Sequence, residues 1–281
     1  MQAFFFIFSK NFKILRVLPT ILLKQKFFAV HWFHMDCFSK TYSIRASEIG
    51  VDYRMRKTEA AALFQQCLAE FFAEKTLAGY DMAKMGLTWI TSDMAVSFEG
   101  TQMPFWREDV QISVWLNPVR SDIRLYFDFE GKVGGVRAFK GSSVQLVVDK
   151  QTRRIRKNDV VAGRFPRIEK SAFELPPFGK IPDVAKVDNS ISKRVRSYEL
   201  DFNNHLNNVQ YLPISFEAIP REFRAAHSLE FYHIKFLREV FLDDLIESKV
   251  EVCADKTATH HVLERQSDGA QVCKMLALWR T

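Results

Sequence analysis

One order of elements occurs twice along this chain, and that recurrence restricts the fold more than any other feature. The stretch "TYSIRASEIG" (41–50) has the length and residue types of a strand ending at Gly50. Thr58 stands where a cap would open a helix. Its apolar positions Leu63, Phe64, Cys67, Leu68, Phe71 and Phe72 recur at intervals of three and four, a stripe that ends near Gly79. Strands follow at "WITSDMAVSF" (89–98), "DVQISVWLNPV" (109–119), "IRLYFDFE" (123–130) and "VRAFKGSSVQLVVDK" (136–150). Val110, Ile112, Val114 and Leu116 alternate with Gln111, Ser113, Trp115 and Asn117, as a sheet with two unlike faces requires. The turn in "EGKVGG" uses glycine, which tolerates positive φ. Residues 151–190 break the rhythm with Pro166, Pro176, Pro177 and Pro182 and read as a linker. The order then returns: a strand "KRVRSYELDF" (193–202) and a shorter helix around 207–218. After it come "SLEFYHIKFLREV" (228–240), "DLIESKVEVCAD" (244–255) and a C-terminal pair within 258–280. Helices lying between strands would also suit a parallel sheet, but the short turns joining the later strands allow only antiparallel pairing. The expected class is α+β, one fold duplicated in tandem.

Charge decides what the chain does not resemble. The formal net charge is +7, yet Lys10, Lys13, Arg16, Lys24 and Lys26 supply five of it within an acid-free start. The body is therefore close to neutral, and no nucleic-acid partner is expected. Residues 1–34 carry charges too often for a membrane span of about 18 apolar residues. They also lack a small-residue cleavage site after a clean apolar core. Ordinary globular sequence begins at Met35, so the extension reads as a mis-assigned start, with a targeting segment or membrane-surface association as the alternatives. The expected location is cytoplasmic, in preference to a plastid. Cys37, Cys67, Cys253 and Cys273 lie far apart and read as reduced core thiols of an intracellular protein. His260 and His261 are adjacent and would point apart on a strand. No metal site and no cofactor are expected, nor is there a glycine-rich phosphate loop.

The chemistry concentrates in "SYELDFNNHLNNVQYL" (197–212). Asp201, Asn203 and His205 are two apart, so an extended backbone would present them on one side, with Phe202 turned into the core. A helix starting near Asn207 would add unpaired N–H groups suited to an oxyanion, and Asn207 or Asn208 would cap it. These residue types equally build turns, so chemistry alone leaves catalysis and a structural role both open.

"LDFNNHLNNVQYL" closely resembles the D-x-N-x-H-x-N-N-x-x-Y signature of the acyl-acyl carrier protein thioesterases. Further stretches are similar to that family in the same order: "SIRASEIGVDYRMRKTEAAALFQQ", "LTWITSDMAVSFEGTQMPFWREDVQISVW" and "DKQTRRIRK". The resemblance spans roughly residues 40–280. It implies two tandem hotdog domains, each a helix wrapped by an antiparallel sheet: 35–165 binding the acyl chain and 191–281 catalytic, with 166–190 between them. The implied reaction is hydrolysis of a fatty acyl thioester on acyl carrier protein to free fatty acid, which ends chain elongation in fatty acid synthesis. The family's catalytic Asp, Asn and His fall on Asp201, Asn203 and His205. Its Glu, in a later strand, falls on Glu239, whose neighbour Val240 replaces the family's cysteine. Valine cannot form a thioester, which favours direct attack by water.

Glu239 or Asp201 would be the general base. The working assignment is Glu239, with Asp201 orienting Asn203 and His205. Pro213 departs from the pattern, since a helix starting at Asn207 would hold it beyond the first turn and bend there. The acyl chain is expected near Phe64, Leu68, Met85, Leu87, Trp89 and Ile90. The implied partner is the acidic carrier bearing an acyl phosphopantetheine, met by the basic runs "RRIRK" (153–157) or "SKRVR" (192–196), and a homodimer is compatible. The competing readings are an acyl-CoA thioesterase and a non-catalytic lipid-binding hotdog protein.

Overall fold

The computed structural model describes residues 37–98 and 102–281, so the expectations for residues 1–34 lie outside the described residues. The helical stripe forms α1 (Glu59–Glu74), and all six predicted apolar positions are buried. Thr58 sits at its start in helical conformation and makes no side-chain cap. A short helix α2 (Gly79–Lys84) follows. Around α1 curve β1 (Phe38–Ser43), β2 (Leu87–Ser97), β3 (Asp109–Leu116), β4 (Leu125–Val133) and β5 (Val136–Asp149), antiparallel in the order β1-β3-β4-β5-β2. A two-residue strand β6 (Ile155–Arg156) pairs with β5. Four of the five long strands touch the helix directly. Phe64 stacks on Phe129 at 4.0 Å, Phe72 on Trp89 at 4.5 Å and Phe71 on Phe38 at 5.1 Å, while the Cys67 thiol donates to the Ile112 carbonyl at 3.7 Å.

The second half repeats this with β7 (Asn189–Arg194), β8 (Ser228–Phe236), β9 (Leu245–Val252), β10 (Ala258–Arg265) and β11 (Ala270–Arg280), in the matching order β7-β9-β10-β11-β8. After a one-turn helix α3 (Asp159–Ala162) in the connection, its own helices are α4 (Tyr211–Glu217) and α5 (Arg221–Ala226), both short. The halves join where β2 pairs antiparallel with β8, from Asp93 opposite Lys235 to Ser97 opposite Phe231, giving one continuous sheet. The expected α+β tandem architecture is what the chain adopts. Among the described residues no helix is long and apolar enough to cross a membrane.

Two details depart from the sequence reading. The strand expected to alternate buried and exposed residues has both faces covered, because Ser113, Trp115 and Asn117 are buried too. The proline-rich segment after α3 lies across that outer face. Trp115 Nε1 donates to the Lys170 carbonyl at 2.8 Å, the Asp128 carboxylate accepts the Ala172 N–H at 2.8 Å, and Phe178 rests edge-on against His233. It is a strap rather than a free linker. The burial it imposes raises the Asp128 carboxyl above the ordinary carboxylate range.

Where β4 meets β5, two glycines face two phenylalanines. Gly131 lies opposite Phe139 and Gly141 opposite Phe129, each ring folding over the space a side chain would fill. A Cβ on Gly141 would stand 2.1 Å from Phe129 Cζ and 2.6 Å from the Ala95 carbonyl oxygen. One of these neighbours is backbone and cannot swing away. Gly141→Ala is therefore expected to destabilise the fold by about 3 kcal/mol, the upper part of the range for overpacking. Thermal or urea unfolding reads this directly.

Candidate active site

The segment carrying Asp201, Asn203 and His205 is a closed loop. Leu200 and Leu206 pair across its neck, Asp201 N–H donates to the His205 carbonyl at 2.8 Å, and Asn204 takes a left-handed φ of 64°. Asparagine accepts that conformation more readily than most residues. The Asp201 carboxylate accepts the N–H of Asn203 at 2.8 Å and that of His205 at 3.3 Å. This corrects the extended reading: a carboxylate that captures two backbone donors favours a turn over a strand. It also corrects Phe202, which is 81% exposed. Its ring rests against Gly79 of the first half, where a Cβ would come within 2.5 Å of it.

Below the loop, buried Glu199 accepts the Arg196 N–H at 2.8 Å and pairs with Lys193 at 2.6 Å, while its carbonyl takes the Asn207 N–H. Asn207 caps the next turn, accepting the Val209 N–H at 3.3 Å. A 3-10 turn (Asn208–Gln210) precedes α4, so Pro213 falls within the first turn of the α-helix proper, where a missing N–H is harmless. The bend expected from Pro213 does not arise. The oxyanion role expected of this helix end also loses ground, since the N–H groups of Asn207, Val209 and Gln210 are already bonded. The Asn203 side-chain amide, by contrast, has no hydrogen-bond partner among the described residues and lines the cavity described below.

Glu239 lies in the loop after β8, not in a strand as the resemblance implied. The loop is fixed to the Asp201 segment by Leu206 N–H donating to the Val240 carbonyl at 2.8 Å, and Arg265 donates to the Glu239 carbonyl at 3.2 Å. Val240 is fully buried beneath. The Glu239 carboxylate stands 3.4 Å from His205 Nδ1 and is also gripped by Arg153, which comes from the turn after β5. Phe241 meets the His205 ring edge-on at 5.0 Å. Thus Asp201, Asn203, His205 and Glu239 converge.

They converge on the wall of a cavity of about 1730 Å³ that runs from this loop along α1 of the first half. Leu68, Trp89 and Ile90 line it. Phe64, Met85 and Leu87 do not. Phe64 points to the sheet and stacks on Phe129, Met85 is 49% exposed beyond α2, and Leu87 is packed into the core. Residues not foreseen from sequence also line it, among them Phe72, Gln145, Arg153, Phe241 and Arg265. Of the two basic runs, Arg153 and Lys193 are committed to Glu239 and Glu199.

The first half contains the same loop without the same chemistry. Ile49 bridges Met55 as Leu200 bridges Leu206, and Tyr53 has the left-handed φ of Asn204. Met55 N–H donates to the Pro104 carbonyl at 2.8 Å, as Leu206 does to Val240. In the matched positions Gly50, Asp52, Arg54 and Met103 stand for Asp201, Asn203, His205 and Glu239. The first copy thus lacks the imidazole and has no carboxylate at the Glu239 position; its one carboxylate, Asp52, stands where Asn203 does and accepts the Arg54 N–H at 3.1 Å. No thiol lines the large cavity. Burial raises all four thiols, Cys67 to about 12. Among the described residues no three His, Cys, Asp or Glu side chains cluster so as to hold a metal.

Two family models match the chain: the acyl-ACP thioesterase N-terminal domain over residues 35–162 and the C-terminal domain over 184–281. A palmitoyl-acyl carrier protein thioesterase, chloroplastic, of Gossypium hirsutum is 26% identical over 86% of this chain and 63% of its own length. An oleoyl-acyl carrier protein thioesterase 1, chloroplastic, of Arabidopsis thaliana is 24% identical over 86% of this chain and 76% of its own. This chain thus spans less than two thirds of the cotton protein. In fold it is similar to a putative oleoyl thioesterase from Lactobacillus plantarum, with a TM-score of 0.76 and 20% identity over 89% of this chain and 98% of that one. The 12:0-ACP thioesterase from Umbellularia californica superposes with a TM-score of 0.75 and 20% identity, over 86% and 96%.

Proposed function

Because the chain belongs to the acyl-ACP thioesterase family, we propose that it hydrolyses fatty acyl thioesters carried on acyl carrier protein, releasing free fatty acid. The observation that carries this reading is the meeting of His205 and Glu239 on the wall of a long cavity built largely by the other half. The acyl chain lies in that cavity against Leu68, Phe72, Trp89 and Ile90, and the thioester reaches the Asp201 loop.

Glu239 takes a proton from water, and the hydroxide equivalent adds to the thioester carbon. Asn203, whose side-chain amide has no partner among the described residues, donates to the carbonyl oxygen as it becomes anionic. Collapse of the tetrahedral intermediate breaks the C–S bond, and the proton held by Glu239 passes to the departing thiolate. His205 holds the water between the two groups. Asp201 builds the loop that presents them, through its bonds to the backbone of Asn203 and His205.

The test is release of fatty acid from acyl-acyl carrier protein and from acyl-CoA by the full chain. The expected result is turnover with a preference for the carrier. A preference for CoA would move the assignment to an acyl-CoA thioesterase, and no hydrolysis of either would favour a lipid-binding protein. A cytoplasmic location belongs to the same proposal, beside relatives whose names place them in the chloroplast. So does assembly as a homodimer, read by sedimentation.

A further inference from the structure

Arg153 belongs to the first half, yet its guanidinium lies on the carboxylate of Glu239 in the second. The turn that carries it is firmly built. The Asp149 carboxylate accepts the N–H groups of Gln151 and Thr152 at 3.1 and 2.9 Å, and Asp149 and Arg153–Arg154 exchange two main-chain bonds. Lys150 N–H donates to the Gly86 carbonyl at 2.9 Å, which ties the turn to the entry of β2. Within it Arg153 has φ of 59°, a left-handed conformation that an arginine side chain disfavours. This strained, braced position borders the cavity, with the Arg153 side chain half-exposed.

Among the described residues, Glu239 is anchored from within its own half through the main chain, by Arg265 and by the Leu206–Val240 bond, and through its side chain only by His205 at 3.4 Å. Its side chain depends on Arg153 and on the looser approach of His205. Both meet the same oxygen, Oε1. We propose that Arg153 is a positioning residue for the hydrolysis: it fixes the Glu239 carboxylate so that Oε1 faces His205 and Oε2 is left for the attacking water. The proposal rests on the thioesterase reading above and adds that the chemistry requires a charge delivered by the half that holds the acyl chain. As Glu239 takes the proton from water, the negative charge moves from its carboxylate to the thioester oxygen with the total unchanged, and the guanidinium lies beside that single charge before and after the transfer.

The experiment is steady-state hydrolysis of acyl-acyl carrier protein by the full chain as wild type, Arg153→Ala, Arg153→Lys and Glu239→Gln, and as the Arg153→Ala/Glu239→Gln pair. A misplaced reacting group costs on the order of 100-fold, so Arg153→Ala is expected to lower kcat by about that factor while KM changes by less than about threefold. Arg153→Lys recovers part of the loss, since a point charge replaces the fork. Because Arg153 acts through Glu239, its removal costs nothing further in the Glu239→Gln background. If that background is too slow to read, recovery of Arg153→Ala by added methylguanidine decides the point. A rise in KM at unchanged kcat, a loss that multiplies with Glu239→Gln, or no recovery by methylguanidine where that arm is used overturns the assignment. Unfolding midpoints of the variants identify any loss that comes from a failed fold, and Arg153→Lys then carries the test. A wild type that hydrolyses nothing overturns the thioesterase reading itself, and this proposal with it.

Discussion

Glu239→Gln is expected to reduce kcat on a fatty acyl-carrier thioester by about 100- to 10,000-fold, the contribution typical of a positioned general base. Glutamine keeps the size of the side chain and one acceptor oxygen, so Arg153 and His205 retain a neighbour while the proton acceptor is gone. The loss should therefore appear in kcat with KM nearly unchanged, the pattern of a group needed in the transition state and not in binding. Glu239→Ala is expected to lose at least as much, because it also strands the Arg153 guanidinium. Near-normal turnover by either variant would remove Glu239 from the base role and leave His205 or Asp201 to fill it. Cysteine is a poor substitute explanation, since the residue beside Glu239 is buried Val240.

Asp201 offers the second large effect, and here the choice of substitution separates two roles. In the structure its carboxylate oxygen accepts two backbone N–H groups and closes the loop that presents Asn203 and His205. Asn retains an acceptor at that place and Ala does not. Asp201→Ala should lower kcat by on the order of 100-fold, as expected when a reacting group is misplaced by about an ångström. It should also cost about 1–3 kcal/mol of stability, the penalty for leaving donors unpaired. Asp201→Asn should keep the fold intact and remain within about tenfold of wild-type turnover, because it lacks only the charge. Equal inactivity of the two variants, both stably folded, would mean that the charge itself is needed and that Asp201 shares in proton transfer.

The parts of this molecule legible in the sequence are those whose signal is periodic. The apolar stripe of α1 has the helical interval, and every residue named for it is buried. The strands show alternation or length, and their short turns dictate antiparallel pairing. The second-half loop departs from the expected strand because period-two spacing describes a strand only when the backbone has no better use for its polar side chains. Asp201 had one, and the chain turned. Phe202 followed it into exposure beside Gly79. A signal that could have exposed the loop was available: Arg45 and Glu48 precede one copy, and Arg196 and Glu199 the other, at the same separation. Two matched Arg-x-x-Glu turns would have pointed to a closed loop after each. Arg153 was out of reach for a different reason. A basic run reads as solvated until the fold brings a distant carboxylate to it, and Glu239 is such a partner from the other half. Likewise, only the strap passing over Trp115 and Asp128 makes their face an interior one.

The pairing of β2 with β8 has a consequence for how this protein can be taken apart. Most two-lobed proteins meet through side chains, and their lobes survive separation. Here the meeting place is a ladder of main-chain bonds in the middle of one sheet. Cutting the lobes apart would bare two long central strands, each an unsatisfied template for other chains. A fragment carrying Asp201 to Glu239 alone would thus be prone to pair with copies of itself, and it would lack the far wall of the cavity. The two like units are thus joined through backbone, and the first half contributes both its part of that sheet and the far wall of the cavity.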